Sequence, residues 1–440
     1  MTHRQQPLFP VEVVLKTAFF IAEISDLLAF LEALRPAGLL GPLEHLWQLR
    51  LVKQQKELWP TLEITKEDLT LDAAFRKCLA EFAKCCSRVR VHNVRDIQWL
   101  RRHLPPTVDQ NWEITTLQTS PNISNDWSKL RITSSHVHGA LRTDTSLEAL
   151  QQLKHLTTLI VVITEESMSS DLEFAAKSER LIHLELRPAF KLRGKILVNN
   201  IMLNNLIKWF KQQPVGRFHM SGWDLQFTDI DVKWVFYESM FQCASLKELS
   251  CFSTVFSDID FSKLTFSMNS LSLRFCDLDS HGMTTLSTRL ISSTVINFAL
   301  SGVEYGQDFL QLFEILPQTS VKDLNLSAIK FHGGEFRIFA NLLKTCTVET
   351  LTFRQNNITP EEVLLVAEGI RENKSIRFLN VQSPSIGIEE AKVLIKCSVH
   401  PKRRAKMHSL DISGCWLGAW SQRECLRTFA AEHGLENVVV

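Results

Sequence analysis

One eleven-residue pattern recurs along the second half of the chain and constrains the fold more than any other feature. In VETLTFRQNNI, which begins at Val348, apolar residues stand at positions 1, 4, 6 and 11. Similar segments begin at residues 246, 268, 295, 321, 348, 376 and 407, so successive starts lie 22, 27, 26, 27, 28 and 31 residues apart. Because a fixed period of about 20–50 residues is typical of repeat proteins, the chain is expected to stack copies of one small unit.

Each copy is predicted to be a short strand followed by a helix. In LTF (351–353) the apolar side chains alternate with a polar one, which places them on opposite faces of a strand. The following TPEEVLLVAEGIRENK (359–374) predicts a helix, with Thr359 as N-cap and Pro360 at the first position. We expect near-complete burial of Leu324, Leu326, Leu351, Phe353, Leu379 and Leu410, and exposure of Asn325, Thr352, Asn380 and Asp411 on one face.

These copies resemble leucine-rich repeats of the ribonuclease-inhibitor-like class, whose pattern is L-x-x-L-x-L-x-x-N/C-x-L. The resemblance covers residues 58–440: degenerate repeats in 58–245, clearer ones in 246–420 and a C-terminal cap in 421–440. It implies an α/β fold, a curved solenoid with parallel strands on the concave face and helices on the convex face. Position 9 holds Asn only at Asn356, so no asparagine ladder between successive turns is expected.

The first 57 residues are predicted to form a separate domain of three helices. Apolar stripes run through 8–34, where a second helix is expected to open at a Ser25/Asp26 cap, and through 43–51. The segment resembles an F-box, although EALRPAGLLGP stands where that family commonly has a Cys-Lys-x-Trp-like stretch. The matching residues are Phe9, Pro10, Glu12, Val14, Leu15, Phe20, Ile21, Asp26, Leu27, Leu28, Leu46 and Trp47.

The F-box resemblance implies a function without chemistry of its own. In that family the box docks on a small adaptor of a cullin–RING ubiquitin ligase while the repeats capture a target. The residues expected to contact the adaptor are Pro10, Val14, Leu15, Ile21 and Leu28. The alternative is an interaction scaffold whose N-terminal helices only cap the solenoid. A third interpretation is a regulator of a small GTPase, because one GTPase-activating family uses repeats near this length, but the acidic tail of that family is missing here.

The target is expected to bind the outward-facing positions 5 and 7 of the repeats. After residue 295 these positions hold mostly small or polar residues, as a solvated face would. Between 185 and 275 these positions include aromatic and arginine side chains, which are the types enriched in interface hot spots. We therefore predict a site for an acidic protein target at Arg187, His219, Phe252, Arg274 and Phe275. The competing possibility is that helices or loops cover Phe252 and make it part of the core.

Composition and motifs exclude several other classes. With 49 basic and 48 acidic residues the net charge is +1, which argues against a general nucleic-acid binder. No glycine-rich phosphate loop, G-x-S-x-G or H-E-x-x-H occurs, so no enzyme activity and no cofactor are expected. His136 and His138 lack neighbouring Cys or carboxylate residues in sequence, so no metal is expected. KRRAK (402–406) resembles a short nuclear-import signal, and a solvated loop is the favoured interpretation.

The cysteine distribution and the hydropathy indicate where the protein resides. Ten scattered cysteines show no C-x-x-C spacing and are expected to be small buried apolar residues in a reducing compartment. Charged residues interrupt the apolar N-terminal run, so we expect no signal peptide, no membrane span and no membrane partner. The expected location is the cytoplasm or nucleus.

Overall fold

The computed structural model describes residues 10–114, 127–138, 150–189, 194–256, 258–302, 306–331, 334–356, 358–383 and 385–440. The chain forms two compact units, Met1–Leu184 and Glu185–Val440. The predicted helical domain, 1–57, belongs to the first unit together with the first repeats.

The first unit begins with helices and continues with alternating strands and helices. Its helices are α1 (Val11–Phe20), α2 (Ile24–Leu34), α3 (Leu43–Leu49), α4 (Gln55–Leu58), α5 (Ala73–Ala83), α6 (Ile97–His103) and α7 (Met168–Lys177). Its strands are β1 (Leu62–Thr65), β2 (Arg88–His92), β3 (Asp109–Ile114), β4 (Ile132–Val137) and β5 (Thr158–Ile163), and each pairs in parallel with the next.

The N-terminal helices lie in the three predicted segments, with one difference at the start of α2. That helix begins at Ile24 with Glu23 as N-cap and no side-chain capping bond, so the predicted Ser25/Asp26 cap is wrong. Asp26 lies instead in the first turn, where its negative charge interacts favourably with the positive end of the helix dipole. A buried ion pair, Lys53 Nζ to Asp68 Oδ2 at 2.7 Å, connects the segment after α3 to the turn after β1.

The second unit repeats strand and helix more regularly. Its strands are β6 (His183–Pro188, which starts in the first unit), β7 (Ile196–Leu197), β8 (Arg217–Ser221), β9 (Trp223–Asp224), β10 (Glu248–Phe252), β11 (Ser270–Arg274), β12 (Asn297–Ser301), β13 (Asp323–Ser327), β14 (Thr350–Arg354), β15 (Phe378–Gln382), β16 (Ser409–Asp411) and β17 (Val438–Val439). Its helices are α8 (Asn200–Gln212), α9 (Ile230–Phe241), α10 (Ser280–Ile291), α11 (Gly306–Ile315), α12 (Glu335–Leu343), α13 (Pro360–Glu372), α14 (Ile388–Ser398) and α15 (Trp420–Glu432).

Strands β8 and β10–β17 of the second unit are parallel neighbours in unbroken register. The same repeat position is therefore aligned from strand to strand. At position 4 the aligned buried residues are Phe218, Leu249, Leu271, Phe298, Leu324, Leu351, Leu379 and Leu410. This alignment confirms the parallel strand-and-helix repeat. The segment 421–440, predicted to be a cap, contributes α15 and the further strand β17.

The predicted core residues are confirmed, and the predicted surface residues are less exposed than expected. The six apolar residues are at most 2% exposed. Asn325, Thr352, Asn380 and Asp411 face the other side but are half-buried. They are shielded because polar side chains along this face bond to one another, as when Arg354 Nε donates to Asn380 Oδ1 at 2.9 Å.

Helix α13 begins as its sequence predicts. Thr359 is the N-cap, Pro360 occupies the first position, and Glu362 completes a capping box by accepting from the Thr359 amide at 2.7 Å. At the other end Asn373 is completely buried, and its amide nitrogen donates to the carbonyls of Leu343 and Cys346 at 2.7 and 2.9 Å. Its oxygen accepts from two backbone amides that follow, so this side chain fixes the turn into β15.

At position 9, cysteine side chains form the same kind of hydrogen bond to the preceding copy that asparagine forms in one repeat. Asn356 Nδ2 donates to the carbonyl of Leu326, at position 6 of the preceding copy, at 3.3 Å. Cys276 Sγ donates to the corresponding carbonyl of Cys251, and Cys415 Sγ to that of Val381, both at 3.4 Å. Links between successive turns are therefore present, with a thiol as donor. All ten cysteines are unpaired, but only Cys86, Cys251, Cys346 and Cys415 are buried, so the expectation of burial is wrong for the other six.

A left-handed backbone conformation recurs at position 8, directly after the strands. The residues with positive φ there are Asn93, Gly222, Ser253, Phe275, Gly302, Ala328, Gln355 and Gly414. Glycine adopts this conformation without strain, whereas other residue types pay for it. The recurrence of glycine at this position in three copies was the sequence signal for the turn, and the apolar pattern alone does not reveal it.

One residue of the basic segment 402–406 is buried and hydrogen-bonded to the backbone. Arg403 is only 9% exposed, and its guanidinium donates to the carbonyls of Ile370 and Ile376. The interpretation of the whole segment as a solvated loop is therefore wrong at this residue. Arg403 joins the end of α13 to the start of β15.

Candidate interaction surface

Two phenylalanines form the exposed centre of the predicted target site. Phe252 ends β10 and Phe275 follows β11, and their ring centroids lie 5.5 Å apart in an edge-to-face arrangement. They are 39% and 47% exposed, so the alternative that helices or loops bury Phe252 is wrong. The left-handed conformation of Phe275, at φ 53°, places its ring beside that of Phe252.

Gly302 makes room for the Phe275 ring. A Cβ at residue 302 would lie 2.5 Å from Phe275 Cδ1, well inside van der Waals contact. The backbone of Gly302 also has a positive φ of 73°, which glycine tolerates best. The aromatic pair therefore depends on the absence of a side chain in the next repeat.

The two arginines of the predicted site differ in their partners. Arg187 Nη2 lies 2.7 Å from Glu185 Oε1 on the same strand, so its charge is already compensated. Arg274 is paired with Phe252 in the strand register, and within the described ranges no carboxylate forms an ion pair with it. Arg274 is therefore the cation of this surface that lacks a compensating charge.

His219 lies deeper than its neighbours. It is half-buried on β8, opposite Ser250 of β10. Burial lowers its pKa, and the charges of Arg187 and Arg274 lower it further against the opposing effect of Glu185. A neutral imidazole here is a hydrogen-bonding group. We define the recognition patch as Arg187, His219, Phe252, Arg274 and Phe275.

A shallow polar groove continues from the recognition patch. It has a volume of about 330 Å³ and lies over the displayed face of β10–β13, which is the face of the sheet that carries repeat positions 5 and 7. Ser250, Ser272, Ala299 and Asn325 form its floor, and Arg274 stands at one side.

The residues predicted to contact an adaptor fall into two groups. Pro10 is exposed, and Leu15 and Ile21 are half-buried. Val14 and Leu28 are 4% and 9% exposed, so they pack inside the helices. The F-box-like residue Phe9 lies outside the described residues.

The largest exposed apolar side chain on these helices lies outside the set of residues predicted to contact an adaptor. Phe20, at the end of α1, is 89% exposed, and Val13 and Phe19 are 47% and 37% exposed. The Phe19 and Trp59 rings contact each other in a tilted arrangement with centroids 5.0 Å apart, and Trp59 Nε1 donates to the carbonyl of Ile21 at 2.8 Å. These contacts hold the end of α1 and leave the Phe20 ring in solvent.

The two histidines of SHVHG have a carboxylate neighbour that their local sequence does not reveal. Glu113, on β3, lies beside His136 and His138, and one ligand atom from each residue falls within 4.8 Å of the other two. The reason given above for expecting no metal is therefore wrong.

Comparison with known proteins adds little to these observations. No protein-family profile matches the chain, and a search of curated proteins finds no similar sequence. Among solved structures a chain of the "Crystal structure of TLR13-ssRNA13 complex" matches with 14% identity and a TM-score of 0.29, covering 86% of this chain and 57% of that one. A likeness this low carries no argument, so the repeat architecture rests on the strand register and the buried columns described above.

None of the helices that the structure describes is both long enough and apolar enough to cross a bilayer.

Proposed function

We propose that the chain is a non-catalytic recognition protein that binds a protein partner at the recognition patch. The observation that carries this proposal is the pair of exposed rings, Phe252 and Phe275, next to the uncompensated charge of Arg274. Covering an exposed aromatic pair with a partner is favourable because it removes apolar surface from water. Arginine is among the residues enriched in binding hot spots.

The partner should offer an apolar group and a carboxylate close together. The apolar group would cover the two rings, and the carboxylate would receive the bidentate donor fork of Arg274. Arg187 contributes less, since an ion pair with Glu185 already satisfies it.

The test begins with a partner recovered by affinity purification of the full chain and then purified itself. Direct binding is measured by calorimetry with the wild type and with Phe252→Ala/Arg274→Ala. We expect the double variant to lose at least about tenfold in affinity, since each hot-spot truncation costs above ~1 kcal/mol. Its melting temperature should change little, because both side chains are exposed.

The matched control is Arg354→Ala/Asp411→Ala, which changes two displayed residues elsewhere in the second unit. This variant should bind like the wild type. If it loses binding while Phe252→Ala/Arg274→Ala retains it, the partner site lies in the C-terminal repeats and the placement is wrong.

A more specific function is that of an F-box-type substrate receptor for a cullin–RING ubiquitin ligase. The exposed Phe20 ring supports it, because an exposed aromatic group at the end of a short helix is suited to a protein contact. On this hypothesis a small adaptor binds α1 and α2 while the recognition patch holds the target.

The adaptor hypothesis is tested with the full chain and a purified adaptor in a pull-down followed by calorimetry. Phe20→Asp and Leu15→Asp should abolish binding. Ile201→Asp, an equally drastic change at a 68% exposed residue on α8, should have no effect. Absence of adaptor binding by the wild-type protein would leave the interaction scaffold as the function.

A further inference from the structure

Five titratable side chains gather on the displayed face of the first unit. The register pairs His92 of β2 with Glu113 of β3, and Glu113 with His136 of β4. Adjacent strands are about 4.8 Å apart, so these three side chains form a row across the sheet. His138 follows immediately after β4, and Glu63 on β1 lies beyond His92. We call Glu113, His136 and His138, with His92 behind them, the histidine cluster.

A bulge in β4 brings His136 into this row. Strict alternation would place His136 on the same face as Ile132, four residues earlier, which is buried. The register shifts by one residue after the pair Gln110–Ile132, so that Thr133 and Ser134 are both half-buried and the alternation changes phase. His136 consequently faces outward beside Glu113. Bulges that redirect a side chain in this way are over-represented at functional sites.

The donor atoms of the cluster converge on one carboxylate. His138 Nε2 lies 2.7 Å from Glu113 Oε1, and His92 Nδ1 lies 2.9 Å from Glu113 Oε2. The rings of His136 and His138 are 4.1 Å apart between centroids. In the part of the chain that the structure describes, this is the one group of three or more His, Cys, Asp or Glu residues close enough to hold an ion.

We propose that the histidine cluster binds one divalent transition-metal ion, with Zn²⁺ as the representative ion. Glu113, His136 and His138 are the ligands. His92 positions Glu113 by donating a hydrogen bond to its second oxygen, the outer-shell role that orients carboxylate ligands in metal sites. Two imidazoles with one carboxylate favour Zn²⁺ or similar ions over Mg²⁺ or Ca²⁺, which prefer oxygen ligands.

The geometry needs only side-chain adjustment to accept the ion. Ligand atoms of a tetrahedral zinc site lie about 3.3 Å apart, given bond lengths of about 2.0–2.1 Å. The His138–Glu113 separation would therefore open by about 0.6 Å, and the widest separation would close by at most about 1.5 Å. Three protein ligands leave a fourth position open on the displayed face, where water or a partner's side chain can bind.

An observation beside the ligands points the same way. His92 Nε2 is buried and accepts no hydrogen bond from any described residue, and its distance to Glu63 Oε2 is 3.7 Å. A buried ring nitrogen without a hydrogen bond destabilises the folded state, so an ion pair with this cost is a poor device for stability alone. In the metal site that cost is offset, because the other nitrogen of His92 fixes the ligating carboxylate.

The test uses the full-length protein, stripped with chelator and titrated with ZnCl₂ by calorimetry and with Co²⁺ by absorption spectroscopy. We expect one saturable site per chain with a Co²⁺ spectrum of nitrogen and oxygen ligands. His136→Ala/His138→Ala should abolish this site, and His92→Ala should weaken it about 10–100-fold, as for other outer-shell partners. His138→Gln, a milder change at a half-exposed residue, covers the case in which the double variant does not fold.

The matched control is His400→Ala/His433→Ala, which removes two histidines from the second unit and should leave affinity unchanged. A thiolate-to-cobalt charge-transfer band would assign the metal to cysteines and overturn the proposal. Saturable binding that persists in a folded His136→Ala/His138→Ala or His138→Gln variant, or no saturable binding by the wild type, would overturn it as well.

Discussion

The displayed faces of the two units carry different chemistry on the same kind of strand. In the first unit neighbouring strands bring His92, Glu113 and His136 into one row. In the second unit the corresponding row is position 7, where the aligned residues include Phe252, Arg274 and Ser301. The buried columns are similar, since both units fill them mainly with aliphatic and aromatic residues, with Gln110 and Ser135 as polar members in the first unit. The repeat is thus defined by its buried positions, whereas binding chemistry varies at the displayed ones.

The largest effect is expected where the two units are most alike. Leu159 on β5 and Leu351 on β14 occupy position 4 of their copies and are 0% and 1% exposed. Replacing either one by Ala should cost about 2–5 kcal/mol of unfolding free energy, because each leaves a cavity in a packed core. Chemical denaturation measures this, with Thr352→Ala as a control expected to change stability by about 0.5 kcal/mol or less. A negligible cost for Leu159→Ala would show that the degenerate repeats are not packed like the clear ones.

A buried amide distinguishes the second unit. Asn373→Ala would leave the Leu343 carbonyl without its donor and the amides of Ser375 and Ile376 without their acceptor, while the Cys346 carbonyl keeps the Ser375 hydroxyl as a donor. Each buried unsatisfied group costs about 1–3 kcal/mol. We expect a loss of about 3 kcal/mol in urea unfolding. Asn325→Ala, on the half-buried displayed face, should cost about 1 kcal/mol or less. Equal losses would mean that the Asn373 bonds add nothing special to the turn.

A buried carboxyl group distinguishes the first unit. Burial raises the pKa of Asp171, on α7, to about 8. The folded state therefore keeps a proton that the unfolded state releases near pH 4, and stability falls as the pH rises from about 4 to about 8. Asp171→Asn should remove this fall, which amounts to at most about 1.4 kcal/mol per pH unit.

Unfolding of wild type and Asp171→Asn across that pH window measures the effect. The two proteins should differ most at the alkaline end and least at the acid end. Burial also raises the pKa of Asp323 in the second unit, but this residue is half-buried, so Asp323→Asn should show a weaker version. A wild-type stability that is flat between pH 4 and 8 would contradict the raised pKa.

The smallest effect concerns the left-handed turn residues, which both units share. Ala328→Gly should stabilise the second unit by about 1 kcal/mol, because alanine pays a steric cost at φ 54° that glycine avoids. Asn93→Gly at φ 50° should gain almost nothing, since asparagine tolerates this conformation. Melting temperatures of the two variants would decide. A loss of stability in Ala328→Gly would mean that its methyl contacts outweigh the strain.

The architecture was predictable because it depends on spacing along the chain. Alternation within each copy gave the buried faces of Leu351 and Phe353 correctly, and the Thr359–Pro360 pair gave the start of α13. The thiol donors at Cys276 and Cys415 were not predictable in the same way, because their acceptors lie 25 and 34 residues earlier. The start of α2 was misjudged since several polar residues there can serve as a cap.

The candidate sites were only partly predictable, for a related reason. Phe252, Arg274 and Phe275 could be grouped because the repeat period aligns them. The proximity of Glu113 to His136 could not be inferred, because it depends on a one-residue bulge that the alternation pattern does not encode. The repeat period predicts which face a residue occupies only where the strands are regular, and a bulge with one extra residue reverses the face.

The thiol links between turns have a consequence for chemical reactivity. Burial raises the pKa of Cys276 to about 12, so at neutral pH this sulfur is almost entirely protonated, and the thiol reacts poorly with oxidants and alkylating reagents. Opening of the link to Cys251 would expose this half-buried thiol further, so its labelling rate is expected to rise when β11 separates from β10. The exposed Cys425 provides an internal reference that labels without any opening.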